Sequence, residues 1–129
     1  MWWTRREFMM TSAAMATLGG DMAAAAEKTK MYGLIGKMKA TPGQRDALVA
    51  ILLEGTQAMP GCRSYIVARD ATDADAIWVT EVWDSAASHQ ASLALPGVKA
   101  AIAQARPILA GFGERFETEP LGGHGMSAA

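Results

Sequence analysis

Apolar and polar residues alternate in short runs along the chain, and the period of each run indicates a strand or a helix. Residues 30–39, KMYGLIGKMK, alternate closely enough to form a strand despite two glycines. In residues 41–59 the apolar positions recur at the spacing of one helix face, with Thr41 at the N-cap and Pro42 at the first helical position. The pattern therefore predicts a strand followed by an amphipathic helix.

The rest of the pattern predicts a hairpin, two helical segments and a last strand. These elements cover residues 62–70, 76–84, 85–95, 98–110 and 111–119. Small and acidic residues at 71–75 form the turn of the hairpin. Asp84 or Ser85 caps the first helical segment, and the Pro-Gly pair at 96–97 breaks the helix before the second one begins.

The predicted order, β-α-β-β-α(α)-β, is typical of one fold class. It indicates an α+β, ferredoxin-like split βαβ fold, with a four-stranded antiparallel sheet and helices on one face. Two helices cover only one face of such a sheet, yet residues 76–84 carry apolar side chains on both faces. Because no second domain is visible, we expect the second face to pack against a second copy of the chain, which predicts a homodimer.

The first 26 residues have the composition of an export signal. Arg5 and Arg6 precede Phe8 and a weakly apolar stretch, and the segment TRREFMM resembles a twin-arginine signal. The apolar run is too short and too rich in small and polar residues for a stable membrane span. A disordered or interfacial amphipathic N-terminus is the alternative.

Three segments follow from this interpretation. They are an export signal over residues 1–26, a domain over 27–120 and a flexible glycine-rich tail over 121–129. The mature protein is then expected to be periplasmic or secreted.

Charge and composition exclude several functions. The formal net charge is −1 and the charged residues are scattered, so nucleic acid is not an expected partner. Cys62 is the single cysteine, so no internal disulfide forms. Together with His89 and His124 it cannot supply a zinc ligand set. Metal binding by carboxylates alone stays open, but no dense acidic loop indicates it, and we predict no metal site.

Candidate chemistry lies where the strand 76–84 meets the following helix. Glu81 shares a strand face with apolar residues and Trp83, and a carboxylate is rarely buried without a partner. His89 lies about one turn into the predicted helix, on its inward face. These residues form either an oriented base beside an aromatic wall, or a core histidine and a structural ion pair of Glu81 with Arg69 or Arg115.

The chain resembles the antibiotic biosynthesis monooxygenase family, also called quinol monooxygenase-like, of dimeric α+β barrels. The resemblance covers residues 31–120 and rests on three segments: PGCRSYIVARD, AIWVTEVWDSAASHQAS and LPGVKAAIAQARPILAGF. It implies a pocket between sheet and helices in which dioxygen reacts without metal or flavin. Haem-degrading relatives carry a tryptophan and a histidine near the places of Ser92 and Ile102, so haem degradation is disfavoured.

The resemblance also implies roles for individual residues. Glu81, Trp83 and His89 match the pocket region, with His89 and Glu81 as catalytic candidates and Trp83 as a substrate-binding wall. Tyr65 and Trp78, on the neighbouring strands, are weaker substrate-binding candidates. The expected function is cofactor-independent oxidation of a quinol, anthrone or similar phenolic substrate by dioxygen. The alternative is a non-catalytic dimeric module that binds a small aromatic molecule.

Overall fold

The computed structural model describes residues 30–127, which form one four-stranded sheet and three α-helices. In chain order the elements are β1 (Tyr32–Ala40), α1 (Arg45–Gly55), β2 (Cys62–Arg69), β3 (Ala76–Trp83), α2 (Ala86–Ser92), α3 (Pro96–Ala105) and β4 (Leu109–Thr118). The strand order is β2-β3-β1-β4, and every neighbouring pair is antiparallel. This architecture confirms the predicted ferredoxin-like α+β fold.

The hydrophobic core lies between one face of the sheet and the helices. Its fully buried larger side chains are Leu34, Met38, Leu48, Leu52, Ile77, Val79, Trp83 and Val98. Alternate residues of β1 and β3 supply the sheet side, because successive side chains of a strand point to opposite faces. Each buried aliphatic side chain of this kind contributes roughly 1.5–3 kcal/mol to folding. The helices therefore cover the inner face, as the pattern predicts.

The start of α1 differs from the prediction. Residues 41–44 form a turn in which the backbone N–H of Gln44 donates to the carbonyl of Thr41 at 3.0 Å. Gly43 has a φ of +80°, the left-handed value required at the third position of a type II turn that has proline at the second. Pro42 therefore belongs to this turn, and the helix begins only at Arg45.

The second helical region also differs in detail. Ser85 caps α2 through its hydroxyl, which accepts the backbone N–H of Ser88 at 3.1 Å. Pro96 is the first residue of α3 and not a break before it, because proline is well tolerated where the helix needs no N–H donor. A single 3-10 turn, Arg106–Ile108, then leads into β4, which begins at Leu109 and so earlier than predicted.

The structure describes the C-terminal end of the chain up to residue 127 but not its N-terminal end. The predicted export signal, residues 1–26, lies outside the described residues. The tail returns to the sheet, since the backbone N–H and the hydroxyl of Ser127 both donate to the carbonyl of Arg63. Within residues 30–127, no helix combines the length and the apolar character needed to cross a membrane.

Candidate active site

Glu81 and Trp83 lie on the helix-facing side of β3, among the core residues of that strand. Glu81 is 1% exposed and Trp83 is fully buried. The indole N–H of Trp83 donates to Oε1 of Glu81 at 2.8 Å. A buried carboxylate is costly unless it accepts hydrogen bonds, and this donor supplies one of them. Trp83 thus holds the carboxylate in a fixed orientation inside the core.

His89 meets the same carboxylate from the helix side. It is 3% exposed, and its Nε2 lies 3.9 Å from Oε1 of Glu81. The imidazole and the Trp83 ring pack edge to face, with ring centroids 5.5 Å apart and an interplanar angle of 75°. The strand and the helix therefore bring Glu81, Trp83 and His89 together in one buried cluster, which we call the triad cluster.

The position of His89 follows from the short helix that carries it. Its backbone N–H donates to the carbonyl of Ser85, and its carbonyl accepts the hydroxyl of Ser92 at 2.6 Å. His89 is the fourth of the seven residues in α2, and so lies close to both helix ends.

Tyr32 is a member of the site that the sequence argument missed. It lies opposite Trp83 in the β1–β3 register, and its ring packs against His89 in a tilted arrangement, with centroids 5.2 Å apart and 39° between planes. Its hydroxyl donates to Oε2 of Glu117 on β4. Burial, followed by the hydrogen bond and charge of Glu117, raises the pKa of the Tyr32 phenol. Only the pairing of β1 with β3 indicates that Tyr32 belongs to the site, and the sequence alone does not determine this pairing.

Tyr65 lies beside the triad cluster on the neighbouring strand. It is paired with Glu81 in the β2–β3 register and therefore faces the helices. Burial raises its pKa well above the ordinary value, and the negative charge of Glu81 raises it further. The phenol thus stays protonated at neutral pH and can donate a hydrogen bond.

Trp78 lies on the opposite face of the sheet. Its indole N–H donates to Oδ2 of Asp70 at 2.7 Å, and Nζ of Lys37 lies 5.8 Å from its ring centroid. Hydrogen bonds from the backbone of Asp73 and Thr72 hold the pKa of Asp70 below its usual range, and the Trp78 N–H adds to the effect. Trp78 therefore stabilises the hairpin turn, and the structure does not bring it to the triad cluster.

The alternative ion pairs of Glu81 are not formed with the expected arginines. Arg69 pairs with Asp46 at 2.9 Å, and the guanidinium of Arg115 lies 3.9 Å from Glu117. Cys62 is half-buried, its thiol donates to the carbonyl of Ser64, and burial raises its pKa.

A separate cavity lies outside the triad cluster. It has a volume of about 260 Å³ and lies where β1 and β4 are irregularly paired, next to the hairpin turn. Lys37, Lys39, Asp73 and residues 110–114 line it, and no member of the triad cluster does. In the described part of the chain, no group of three or more histidine, cysteine or acidic side chains is placed to hold a metal ion.

Comparison with known proteins identifies the family. The family model for antibiotic biosynthesis monooxygenases matches residues 31–104, which include the whole triad cluster. The chain belongs to the antibiotic biosynthesis monooxygenase family. The match ends before β4, so the last strand and Arg115 lie outside the part that the family model covers.

Solved structures of similar proteins agree with this family or with its fold. A candidate antibiotic biosynthesis monooxygenase from Chloroflexus aurantiacus J-10-fl is 66% identical, with a TM-score of 0.73, over 75% of this chain and 99% of that one. PA3566 from Pseudomonas aeruginosa is 19% identical (TM-score 0.64, 74% and 98% covered), and Rv0793 from Mycobacterium tuberculosis is 24% identical (TM-score 0.61, 73% and 98% covered). The latter two share the fold alone. No curated protein sequence matches the chain.

Proposed function

We propose that this member of the family is a cofactor-independent monooxygenase that oxidises a quinol, an anthrone or a similar activated phenol with dioxygen. The observation that carries the proposal is the convergence of His89 on the carboxylate of Glu81, which Trp83 holds in place. An imidazole beside a fixed carboxylate is a general base whose protonated form is stabilised.

The first step is proton abstraction from the substrate. His89 accepts a proton from a phenolic hydroxyl or from the C–H next to an anthrone carbonyl, and the Glu81 carboxylate stabilises the imidazolium. The aromatic rings of Tyr32 and Trp83 flank His89 and limit the access of water to it. A positioned general base of this kind is typically worth ~10²–10⁴-fold in rate.

The second step is the reaction of the substrate anion with dioxygen. The electron-rich anion passes one electron to dioxygen, and the resulting radical and superoxide combine to form a C–O bond. After protonation the O–O bond breaks, one oxygen atom stays on the substrate and the other leaves as water with two of the substrate's hydrogens. The product is a quinone, and the substrate supplies the reducing electrons.

A second candidate function is a binding module without turnover. One observation favours it: the triad cluster is almost fully buried, whereas the 260 Å³ cavity lies elsewhere. Such a module binds quinols without consuming dioxygen. Calorimetric titration under anaerobic conditions, together with an oxygen electrode, separates the two functions.

We also propose that the protein is a homodimer joined through the outer face of its sheet. A row of side chains crosses this face along the register of all four strands: Ile66, Thr80, Ile35 and Phe116. Ile66 is 57% exposed and Phe116 is 52% exposed, on a face that the helices leave uncovered. Packing the same face of a second copy on this outer row buries both residues.

We also propose that the protein is exported from the cytoplasm. The paired arginines ahead of Phe8 favour export by a twin-arginine-type signal over residues 1–26, which places the folded domain in the periplasm or outside the cell.

Oxygen consumption tests the proposed function directly. The purified protein, treated with a chelator, is incubated with a panel of quinols and anthrones in an oxygen electrode. We expect uptake above the uncatalysed rate for at least one substrate, with one quinone formed per dioxygen consumed. A rate no higher than the uncatalysed one across the panel, combined with calorimetric binding, establishes the binding module instead.

A further inference from the structure

Arg115 places a cation on the helix-facing side of the sheet, where the mechanism above does not use it. It lies on β4 and is paired with Gly36 of β1, which is on the same face as Leu34 and Met38. Gly36 contributes no side chain, so the arginine is not covered by its neighbour on β1. Its side chain is 26% exposed. Arg115 therefore lies at the edge of the space between sheet and helices.

The protein supplies only some of the hydrogen-bond acceptors that the Arg115 guanidinium needs. Its charged partner, Glu117, is 3.9 Å away and already accepts the hydroxyl of Tyr32. Among the residues that the structure describes, the buried Nε–H of Arg115 has no hydrogen-bond acceptor. A buried donor without an acceptor destabilises the fold, so an arginine in this position calls for an explanation beyond stability.

Tyr32 connects Arg115 to the triad cluster. At one end of Tyr32, the hydroxyl lies close enough to Arg115 for the guanidinium to lower the phenol pKa by charge and hydrogen bonding, against the larger effects of burial and Glu117. At the other end, the tyrosine ring packs against His89. The cation and the proposed base are thus connected through one aromatic side chain, with Glu117 and Arg115 at its hydroxyl end and His89 at its ring.

We propose that Arg115 recognises a carboxylate on the substrate and thereby orients its hydroxyl toward His89. This inference rests on the proposed function and names its substrate class, an aromatic acid that also carries a quinol or phenol. A guanidinium can donate two parallel hydrogen bonds to a carboxylate, which fixes orientation as well as affinity. Glu117 assists by keeping the guanidinium on the side of Tyr32.

Paired ligands test the proposal. A dihydroxybenzoate and its methyl ester share the quinol ring and differ in charge, and both are titrated anaerobically into the full-length protein by calorimetry. We expect the acid to bind the wild type at least about tenfold more tightly than the ester. In Arg115→Met the preference should fall below about twofold, because the bidentate partner is gone.

Two further variants keep the result interpretable. Arg69→Met removes an exposed arginine that pairs with Asp46, and it should retain the full preference for the acid. Arg115→Lys keeps the charge but not the planar fork, so it should keep only part of the preference. If Arg115→Met does not fold, Arg115→Lys still tests the proposal.

The outcomes distinguish this inference from the proposed function. Equal affinity for acid and ester in the wild type, or a preference unchanged in the Arg115 variants, overturns the role of Arg115 even if the protein consumes dioxygen with an ester or a neutral quinol. A preference that depends on Arg115 without any oxygen uptake supports the carboxylate site and overturns the monooxygenase. Failure of both ligands to bind overturns the carboxylate site as well.

Discussion

The indole N–H of Trp83 donates a hydrogen bond of 2.8 Å to the carboxylate of Glu81, two residues earlier on the same face of β3. This bond explains why a carboxylate can lie in the core of a small domain. It also fixes the oxygen that His89 approaches, because Oε1 of Glu81 is common to both contacts. Thus β3 holds the carboxylate in place, and α2 supplies the base beside it.

Replacing Trp83 should cost both stability and activity. Trp83→Phe removes the N–H donor and leaves the buried Oε1 of Glu81 with one donor fewer, which we expect to cost about 1–3 kcal/mol in the free energy of unfolding. Urea denaturation measures this loss. Trp78→Phe is the matched control, because its indole bonds to Asp70 at the hairpin turn and should leave turnover unchanged. A Trp83→Phe protein as stable as the wild type contradicts the structural part of this account.

The two tyrosines of the chain should resist ionisation in the folded state. Burial raises the pKa of both Tyr32 and Tyr65. The stabilisation that follows from a raised folded-state pKa is complete below the unfolded value of about 10 and is lost as the pH rises through the folded value. An ultraviolet absorbance titration should therefore show phenolate near pH 10 only in denaturant. Substantial phenolate at that pH in the folded protein contradicts the burial of the tyrosines.

The contact between α1 and α3 depends on the small size of Gly55. A Cβ added there lies 2.5 Å from Cβ of Ala101 and 3.0 Å from the carbonyl oxygen of Gly97, so Gly55→Ala forces the helices apart. We expect a loss of about 1–3 kcal/mol by urea denaturation. Gly111→Ala is the control, since an added Cβ meets no atom within 4 Å and the effect should stay within about 0.5 kcal/mol.

The proposed dimer makes a prediction about the outer row. Ile66→Lys places a charge on the uncovered sheet face, and it should convert a dimer to a monomer in light scattering at micromolar concentration. Leu53→Lys is the matched control, because Leu53 is similarly exposed at 49% but lies on α1. A wild-type protein that is monomeric under these conditions rules out the interface.

The fold could be predicted from the sequence because each strand and helix is indicated by the periodicity of residues that are close together in the chain. Alternation over 30–39 and 76–84 identified strands, and the helical spacing of Leu48 and Leu52 identified the buried face of α1. Errors arose at element ends, where Pro42 and Pro96 each fit two roles. The turn geometry at Gly43 decides the role of Pro42, and the first residue of α3 decides that of Pro96.

The site was less predictable, because it depends on strand pairing. Glu81, Trp83 and His89 are close in sequence, and the face they share follows from the strand and helix periods. Tyr32 and Arg115 come from β1 and β4, and no local pattern indicates that Tyr32 contacts His89 or that Arg115 shares its side of the sheet. Trp78 was a weaker candidate that the family resemblance suggested. It alternates with the inward-facing Ile77 and Val79 along β3 and therefore lies on the opposite face of the sheet.

The central claim is that the triad cluster is a catalytic site with His89 as its base. The most direct test is the rate of oxygen consumption by His89→Ala, measured with the best substrate of the panel and compared with His124→Ala, which alters the exposed histidine of the tail. We predict a loss of ~10²–10⁴-fold for His89→Ala with the fold intact, and no change for His124→Ala. A loss of less than about threefold in folded His89→Ala contradicts the assignment.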